Sequence, residues 1–249
     1  RQGCIYGLVA LGFVLIYKAT ETINFAQGDI LMLGAFVAYS LIGILGMDYL
    51  TGFALTVLII AVFGFFLDAV VVRQIIGQPA FATVMLTIGL GFIFRGFASI
   101  FWGTDIYSFS TPFSGKILQT GGLVISYVNI SIIVGTALLM IILYSFFSFS
   151  KIGVAMRASS ENQLAAYYVG IPVKFIFSLI WSISAGVAAV AGVLLAPITL
   201  VDTSISLIGL KAFAAAVLGG FGSIPGAIVG GIIIGIVEQL SLIHISEPT

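Results

Sequence analysis

The sequence predicts an all-α fold: a polytopic transmembrane helical bundle of about seven to eight membrane segments with a short cytoplasmic helix. Of its 249 residues, 61% are hydrophobic and 7% are charged, and the mean hydropathy is +1.27. A soluble domain has about 25% charged residues, so folding in water would leave much apolar surface uncovered. The apolar residues form continuous runs near the length of roughly 20 that a membrane helix needs, not the short alternating segments of a membrane barrel.

The membrane segments follow one another along a single domain that we place at residues 1–239. Each run is predicted as a helix, because isolated strands would leave backbone groups unpaired in hydrocarbon. The last two segments are short pieces separated by the break GGFGSIPG. The predicted segments are Gly3–Tyr17, Ile30–Gly46, Gly52–Val72, Phe81–Trp102, Leu123–Phe149, Phe175–Thr199, Ile205–Leu218 and Ile224–Leu240.

Lysine and arginine residues of the short loops orient the bundle, because cytoplasmic loops have an excess of both. Alternating the segments puts five such residues on one side and only Lys116 on the other. The loop Ser150–Pro172 is therefore predicted to be cytoplasmic and the loop Gly103–Gly122 external. The five cytoplasmic residues are Lys18, Arg73, Lys151, Arg157 and Lys174.

The cytoplasmic loop contains the signals of a short capped helix, predicted at Glu161–Val169. Ser160 and Gln163 have the S-x-x-Q spacing of a capping box, in which each side chain satisfies a free backbone donor. The Glu161 carboxylate would complement the positive start of the helix. Gly170 predicts a left-handed C-terminal cap, and the proline two residues later stops the helix.

This short helix has one apolar face, formed by Leu164, Tyr167 and Tyr168 at spacings of three and four residues. Two interpretations are open for that face. In the first, the helix rests on its own bundle. In the second, it docks into a groove of a cytosolic partner.

The segment Ile23–Asp29, INFAQGD, places Asn24, Gln27 and Asp29 between two apolar runs. Unwound backbone at membrane depth is tolerated only where it is buried in protein or lines a cavity. Either this segment is an ordinary cytoplasmic turn, or it dips into the bundle. Only in the second case are the three polar side chains candidates for a solute pathway.

Arg95 lies deep within an apolar run, where a charge costs roughly 2.5–3.5 kcal/mol on insertion scales. Its side chain should therefore face protein or water. Asp68 or a backbone carbonyl is the expected partner in a structural pair. The alternative is that Arg95 belongs to the solute pathway.

The last third of the chain is rich in small residues. Gly226-x3-Gly230 and Gly231-x3-Gly235 allow two helices to approach closely, and the stretch Gly219–Ala227 predicts a turn or re-entrant bend. The residues assigned to this packing and turn are Gly219, Gly220, Gly222, Pro225, Gly226 and Gly230.

The sequence lacks several motifs of enzymes, nucleotide-binding proteins and metal sites. It has no phosphate-binding G-x4-G-K-[ST] loop, no H-E-x-x-H, no G-x-S-x-G and no metal-spaced His or Cys set. The single cysteine, Cys4, excludes an intrachain disulfide framework. An intramembrane enzyme and ATP hydrolysis by this chain alone are therefore not expected. The formal net charge of zero gives no indication of nucleic-acid binding.

At these segments the chain resembles the permease subunits of branched-chain amino-acid ABC transporters. INFAQGD is similar to the family's I-N-F-A-H-G-E, with Gln27 in place of His and Asp29 in place of Glu. Ser150–Ile171 resembles the family's cytoplasmic loop, which ends in two alanines, three residues and a glycine. Lys211–Gly231, KAFAAAVLGGFGSIPGAIVGG, is the most specific match, and the resemblance covers nearly the whole chain.

The resemblance implies a non-enzymatic importer subunit in a bacterial or archaeal cytoplasmic membrane. It would pair with a second, homologous permease and two cytosolic ABC ATPases, and an external solute-binding protein would deliver the amino acid. ATP and Mg²⁺ would bind to the ATPases, with no cofactor on this chain. The coupling helix would contact the ATPase through Glu161, Leu164, Ala165, Ala166, Tyr167, Tyr168 and Gly170.

Three other functions remain as alternatives. They are a related permease for urea, amides or sugars, a passive channel or facilitator, and an intramembrane enzyme. The C-terminal residues Leu240–Thr249 are expected to be a non-native tail, since they resemble a translated sequencing adapter. In that case His244 is an artefact and the family's final span is missing. A genuine external loop is the alternative.

Overall fold

The computed structural model describes residues 2–75, 78–115, 117–120 and 123–245, with the backbone alone at 80, 118–120, 123–125 and 242–245. Within these ranges the chain forms ten α-helices and one two-stranded antiparallel sheet. The helices are α1 (Gln2–Thr20), α2 (Gln27–Ala38), α3 (Tyr49–Val70), α4 (Ala80–Trp102), α5 (Tyr127–Phe149), α6 (Lys151–Glu161), α7 (Gln163–Tyr168), α8 (Val173–Thr199), α9 (Ile208–Gly219) and α10 (Ile224–Ile245). The strands are β1 (Ile117–Thr120) and β2 (Leu123–Ser126).

The predicted helical membrane bundle is confirmed. In the described ranges, seven helices are long and apolar enough to cross a membrane, and α9 lies in a shorter apolar segment. The predicted start of the fifth segment at Leu123 is wrong, because residues 123–126 pair with β1 as β2. Ser126 then caps α5 by accepting a hydrogen bond from the Val128 amide at 3.3 Å. Lys116 lies outside the described residues.

Helices α1 and α8 form the centre of the bundle. Most residues of α1 and of α8 are buried. Helix α3 packs along α8, while α9 and α10 pack along α1. By contrast, α4, α5 and α10 expose large apolar side chains such as Phe92, Ile141 and Ile236. Such surfaces suit contact with lipid or with another membrane protein.

The glycines of α10 pack on two neighbouring helices. Gly231 and Gly235 lie against the backbone of α1 at Gly7 and Gly3, and Gly230 lies against α9. A Cβ at any of these α10 positions would overlap backbone atoms of the neighbour. Helix α10 runs on to Ile245, so the described backbone continues into the proposed tail. Residues 246–249 and the side chains beyond Ser241 lie outside the described part of the chain.

Several of the lysine and arginine residues that were predicted to be cytoplasmic lie at one end of the bundle, which we call the basic end. Arg73 Nη2 donates a hydrogen bond to the Lys174 carbonyl oxygen at 2.9 Å, and Lys18 and Arg157 line one small cavity. At the opposite end, a backbone pair at Tyr107 joins the loop after α4 to the segment after α8. The positive-inside rule predicts that the basic end faces the cytoplasm.

Two helices begin inside the bundle rather than at its ends. After α1, Glu21 takes a left-handed backbone conformation (φ 53°), and the chain turns back so that α2 starts with Gln27 beside the middle of α1. The same arrangement follows α8: Leu200 is left-handed (φ 67°), and a 3-10 turn at Thr203–Leu207 leads into α9. Glu21 and Leu200 are the two non-glycine residues with a positive φ in the described part of the chain.

The first turns of α2 and α9 meet near the middle of the bundle, at a contact that we call the midpoint junction. Gly28 and Gly209 touch there through their backbones, and a Cβ on either would overlap the other residue. From the junction, α2 runs away from the basic end, and its Phe36 stacks on the last residue of α4. Helix α9 runs to the basic end, where Tyr17 contacts the turn that follows it. The two helices therefore leave the junction in opposite directions.

Candidate functional site

The re-entrant segment Ile23–Asp29 contains a buried polar network. Asn24 and Gln27 are completely buried. The Ala26 amide donates to Asn24 Oδ1, and Asn24 Nδ2 donates to Gln27 Oε1, both at 3.1 Å. Gln27 Nε2 donates in turn to the Ser184 carbonyl oxygen at 3.2 Å. The interpretation as an ordinary cytoplasmic turn is wrong, because the segment dips into the bundle.

Gly12, in the middle of α1, provides the space for this network. A Cβ at Gly12 would overlap the side-chain amide of Gln27. Ser184 Oγ lies within hydrogen-bond distance of the Gly12 carbonyl oxygen (3.0 Å) and of Gln27 Oε1 (3.2 Å). The network thus joins α1, α2 and α8 and satisfies polar groups that would be costly in hydrocarbon.

Asp29 is the partner of Arg95. Arg95 Nε donates to Asp29 Oδ1 at 2.6 Å, and the side chains are 39% and 3% exposed, respectively. The expected pairing of Arg95 with Asp68 is wrong, because Asp68 lies near the basic end of α3 and is bound there by Arg73. Gly91, one turn before Arg95, leaves room for the Asp29 carboxylate, which a Cβ at that position would overlap.

A polar stripe along α4 extends from this ion pair toward the basic end. Thr83, Thr87, Gly91 and Arg95 follow one another at intervals of four residues, so they lie on one helix face. Both threonines are buried, and Thr87 Oγ1 accepts a hydrogen bond from the Phe25 amide at 3.2 Å. Sequence reasoning missed this stripe, although its spacing of four was a readable signal.

The loop predicted to be cytoplasmic forms two helices, and its predicted capping box is wrong. Ser160 and Glu161 belong to the last turn of α6, and Ser160 Oγ donates to a backbone carbonyl of its own helix at 3.1 Å. Asn162 caps α7 instead: its Oδ1 accepts a hydrogen bond from the Ala165 amide at 2.9 Å. Its extended backbone (φ −154°, ψ 102°) ends α6. Asn is among the preferred N-cap residues, and Gln163 becomes the first residue of α7.

The predicted glycine cap at the end of α7 is confirmed. Gly170 is left-handed, with φ 84°. The Gly170 amide donates to the Tyr167 carbonyl oxygen and the Ile171 amide to the Ala166 carbonyl oxygen, both at 3.0 Å. These two bonds are those of a Schellman motif, which satisfies the free carbonyls of a helix end. Helix α8 starts at Val173, directly after this cap.

Replacing Gly170 with valine is expected to strain this cap. A β-branched residue in the left-handed region costs about 1–2 kcal/mol, so the last turn of α7 should fray. The amides of residues 170 and 171, which close the cap, should then exchange their hydrogens with solvent faster than in the unaltered protein. Gly170→Asn is the matched control, since Asn tolerates this conformation. An unchanged exchange rate in Gly170→Val would contradict the expectation.

The apolar side chains of α7 project away from the bundle. Leu164 is 70% exposed and Tyr167 is 69% exposed, and Tyr168 is also exposed, whereas Ala166 is buried. In the described part of the chain, the apolar face of α7 therefore does not rest on its own bundle, which argues against the first of the two interpretations. Glu161 and Ala165 are exposed as well.

A groove of about 900 Å³ separates α7 from the membrane helices at the basic end. Leu164 and Tyr167 line it on one side, and Phe65 and Phe175 line it on the other. This groove is large and apolar enough to receive a side chain or a short segment of a partner protein.

The glycine-rich break between α9 and α10 is a tight turn. Gly220 is left-handed, with φ 83°, and Gly222 lies in the turn. Ser223 caps α10 by accepting a hydrogen bond from the Gly226 amide at 3.0 Å. Pro225 stands in the first turn of α10, where its missing N–H costs little. Gly219 and Gly226 lie against each other, so the two helices diverge from a close backbone contact.

Together these features define a class of protein. The chain is an apolar multi-helix bundle whose irregular backbone and polar side chains lie at mid-depth, and an exposed helix stands at its basic end. Polar groups and helix breaks at membrane depth are characteristic of solute pathways. The fold and the site are those of a membrane transport protein.

The chain belongs to the branched-chain amino acid transport system permease component family, whose model matches residues 1–249. It is thus a multi-pass membrane permease subunit, not a member of an enzyme family. The high-affinity branched-chain amino acid transport system permease protein BraD of Pseudomonas aeruginosa is 34% identical over 95% of this chain and 81% of its own length. LivH of Escherichia coli K12, with the same description, is 32% identical over 98% and 84%.

A probable branched-chain amino acid transport permease protein LivH of Methanocaldococcus jannaschii is 29% identical over 96% of this chain and 78% of its own length. No solved structure matches the chain.

Proposed function

We propose that this chain is the permease subunit through which an ATP-driven importer moves branched-chain or other apolar amino acids across the cytoplasmic membrane. The main observation in support is the buried polar segment Ile23–Asp29, whose Asp29 forms the ion pair with Arg95 at mid-depth in the bundle. The second support is that the chain belongs to a family of transport permeases. The names of the relatives supply the cargo class.

The proposed importer contains more than this chain. A second homologous permease, two cytosolic ATPases and an external solute-binding protein complete it. ATP and Mg²⁺ act on the ATPases, and no cofactor is assigned to this permease. The exposed apolar face of α7 and the adjoining groove support an ATPase contact at the basic end.

In this proposal the solute pathway passes the re-entrant segment. Asn24, Gln27, Asp29 and Arg95 provide its polar groups, and the stripe of α4 leads from Arg95 toward the cytoplasm. Few charges elsewhere in the bundle suit a solute with an apolar side chain. Opening this pathway requires α4 to separate from the re-entrant segment, since the Phe25–Thr87 contact closes it in this structure.

Replacing Asn24 or Gln27 with alanine is expected to lower ATP-driven uptake roughly tenfold while the protein still reaches the membrane. Each change removes one member of the buried network and leaves a partner atom without its hydrogen bond, at a cost of about 1–3 kcal/mol. Uptake and the amount of membrane-inserted protein are measured together. Gln74→Ala, which removes an exposed glutamine at the basic end, is the control. Normal uptake in both network variants would contradict a pathway role.

Reconstitution of the complete importer in vesicles tests the proposed function. Leucine uptake should require ATP, the binding protein and this permease together. Uptake without ATP would show a passive facilitator. ATP-driven uptake of urea or a sugar, with none of leucine, would show the alternative cargo class.

A further inference from the structure

A second polar cavity lies at the basic end of the bundle, separate from the mid-depth network. It has a volume of about 250 Å³ and is lined by residues of α1, α3, α4, α7 and α8 and of the segments next to them. Among its lining residues are Thr20, Thr22, Asp68, Thr83, Gln163 and Phe177. Hydroxyl and amide groups thus surround one carboxylate, with apolar side chains beside them.

The Asp68 carboxylate is only partly satisfied. Asp68 is 1% exposed. Its Oδ2 accepts hydrogen bonds from Ser178 Oγ at 2.6 Å and from Arg73 Nη2 at 3.4 Å. Its Oδ1 is buried and has no hydrogen-bond partner among the described residues. A buried charged acceptor without a donor is costly, so a donor brought by a ligand would be strongly favoured.

Arg73 complements Asp68 in the same cluster. Arg73 Nε is buried and has no acceptor among the described residues, although the Nη2 atom binds Asp68, Ser178 and the Lys174 carbonyl oxygen. The cluster therefore offers one free acceptor and one free donor on side chains that touch each other. Asp68 lines the cavity, whereas Arg73 lines the adjoining groove beside α7, so an ammonium group in the cavity would have the Asp68 carboxylate as its charged partner.

The cavity is placed where cargo would leave the proposed pathway. Thr83 is the last residue of the polar stripe of α4 on the side of the basic end, one turn beyond the Thr87–Phe25 contact. Gln163, the first residue of α7, forms part of the opposite wall. A movement of α7 imposed by an ATPase would thus change this cavity directly.

We propose that this cavity is an exit site in which Asp68 binds the α-ammonium group of the cargo amino acid before its release into the cytoplasm. An ammonium group has three donors and no acceptor, so it can bind Asp68 Oδ1 and also donate to the hydroxyls of Thr22 and Thr83. The apolar cargo side chain packs against Phe177. This assignment rests on the proposed function, since it specifies how the same cargo leaves.

Inhibition from the inside of the vesicle tests the exit site. The complete importer is reconstituted with ATP inside, and the vesicles are loaded with increasing unlabelled leucine or with 4-methylpentanoate, which has the same side chain and carboxylate but no ammonium group. Internal leucine should inhibit uptake of external labelled leucine, whereas 4-methylpentanoate should not. In Asp68→Asn the half-inhibitory concentration of internal leucine should rise about tenfold or more, because a charge-assisted hydrogen bond is lost.

Further variants keep the test decisive if Asp68→Asn does not assemble. Thr22→Val and Thr83→Val retain the Asp68–Arg73 pair and should each raise the half-inhibitory concentration a few-fold. Asp105→Asn, on the loop at the opposite end, should leave the half-inhibitory concentration unchanged.

The exit site is overturned if wild-type vesicles take up leucine but internal 4-methylpentanoate inhibits this uptake as strongly as internal leucine does. Unchanged inhibition in the cavity variants, or inhibition by internal potassium chloride alone, overturns it too. Absence of ATP-driven leucine uptake in the wild type would instead refute the proposed function.

Discussion

Replacing Asp29 with asparagine is expected to lower both the amount of permease in the membrane and its uptake activity. Arg95 would remain at membrane depth without its anionic partner. Breaking a buried ion pair on one side costs about 3–5 kcal/mol, and the partial exposure of Arg95 favours the lower end of that range. Such a loss is a large fraction of a typical folding stability of about 5–15 kcal/mol.

A double variant separates the structural role of this pair from a role in the pathway. Asp29→Asn combined with Arg95→Gln replaces the ion pair with a neutral pair of similar shape and should restore membrane levels. If uptake stays low in that variant, the charges themselves act on the solute path, and if uptake recovers, the pair is structural. Asp48→Asn is the control, because Asn can also cap α3. Wild-type levels and uptake in Asp29→Asn alone would refute the expected effect.

If α7 docks on the ATPase of the proposed importer, removing its apolar anchors with Leu164→Ala and Tyr167→Ala is expected to release that ATPase. Anchor residues of this kind contribute about 2 kcal/mol or more each to an interface, so the double variant should bind the ATPase at least roughly a hundredfold more weakly. The permease itself should fold normally, because both side chains are exposed and alanine favours a helix.

Co-purification of the permease with its ATPase measures this effect, with uptake as the second readout. Tyr144→Ala removes a tyrosine of similar exposure on α5 and should leave the ATPase bound. Wild-type co-purification and transport in the Leu164 and Tyr167 double variant would mean that α7 is not the coupling element. The groove beside Phe65 and Phe175 would then need another occupant.

The sequence predicts the membrane helices well because their signal is local. Each apolar run of about 20 residues forms a helix in hydrocarbon whatever its neighbouring segments are, because its backbone groups must hydrogen-bond within the run. The left-handed cap at Gly170 was equally predictable, since glycine occupies that backbone region at little cost. The start of α7 was predicted from Ser160 alone, although Asn162, two residues later, is also a preferred N-cap residue and is the one that caps the helix.

The depth of the re-entrant segment and the partner of Arg95 depend on packing between distant parts of the chain. Gln27 reaches mid-depth because Gly12, fifteen positions earlier, leaves a gap in α1. Asp68 was an expected partner of Arg95, but the packing leaves Asp68 near the basic end with Arg73 and brings Asp29 to Arg95. Neither the gap in α1 nor this packing has a signature in hydropathy, so the polar residues could be named from the sequence but not placed.

The midpoint junction has an electrical consequence. Each peptide unit has a dipole along the helix axis, which leaves partial positive charge at a helix start and partial negative charge at its end. Helices α2 and α9 both start at the Gly28–Gly209 contact with 12 α-helical residues each, and a π-helical turn at Tyr39–Ile44 extends the first of them. Their dipoles point in opposite directions and therefore partly cancel, and partial positive charge stays near the middle of the bundle, beside the Asp29 carboxylate. The membrane potential does work only on charge that moves along its field. A symmetric movement of both helices at this junction would therefore couple only weakly to the membrane voltage.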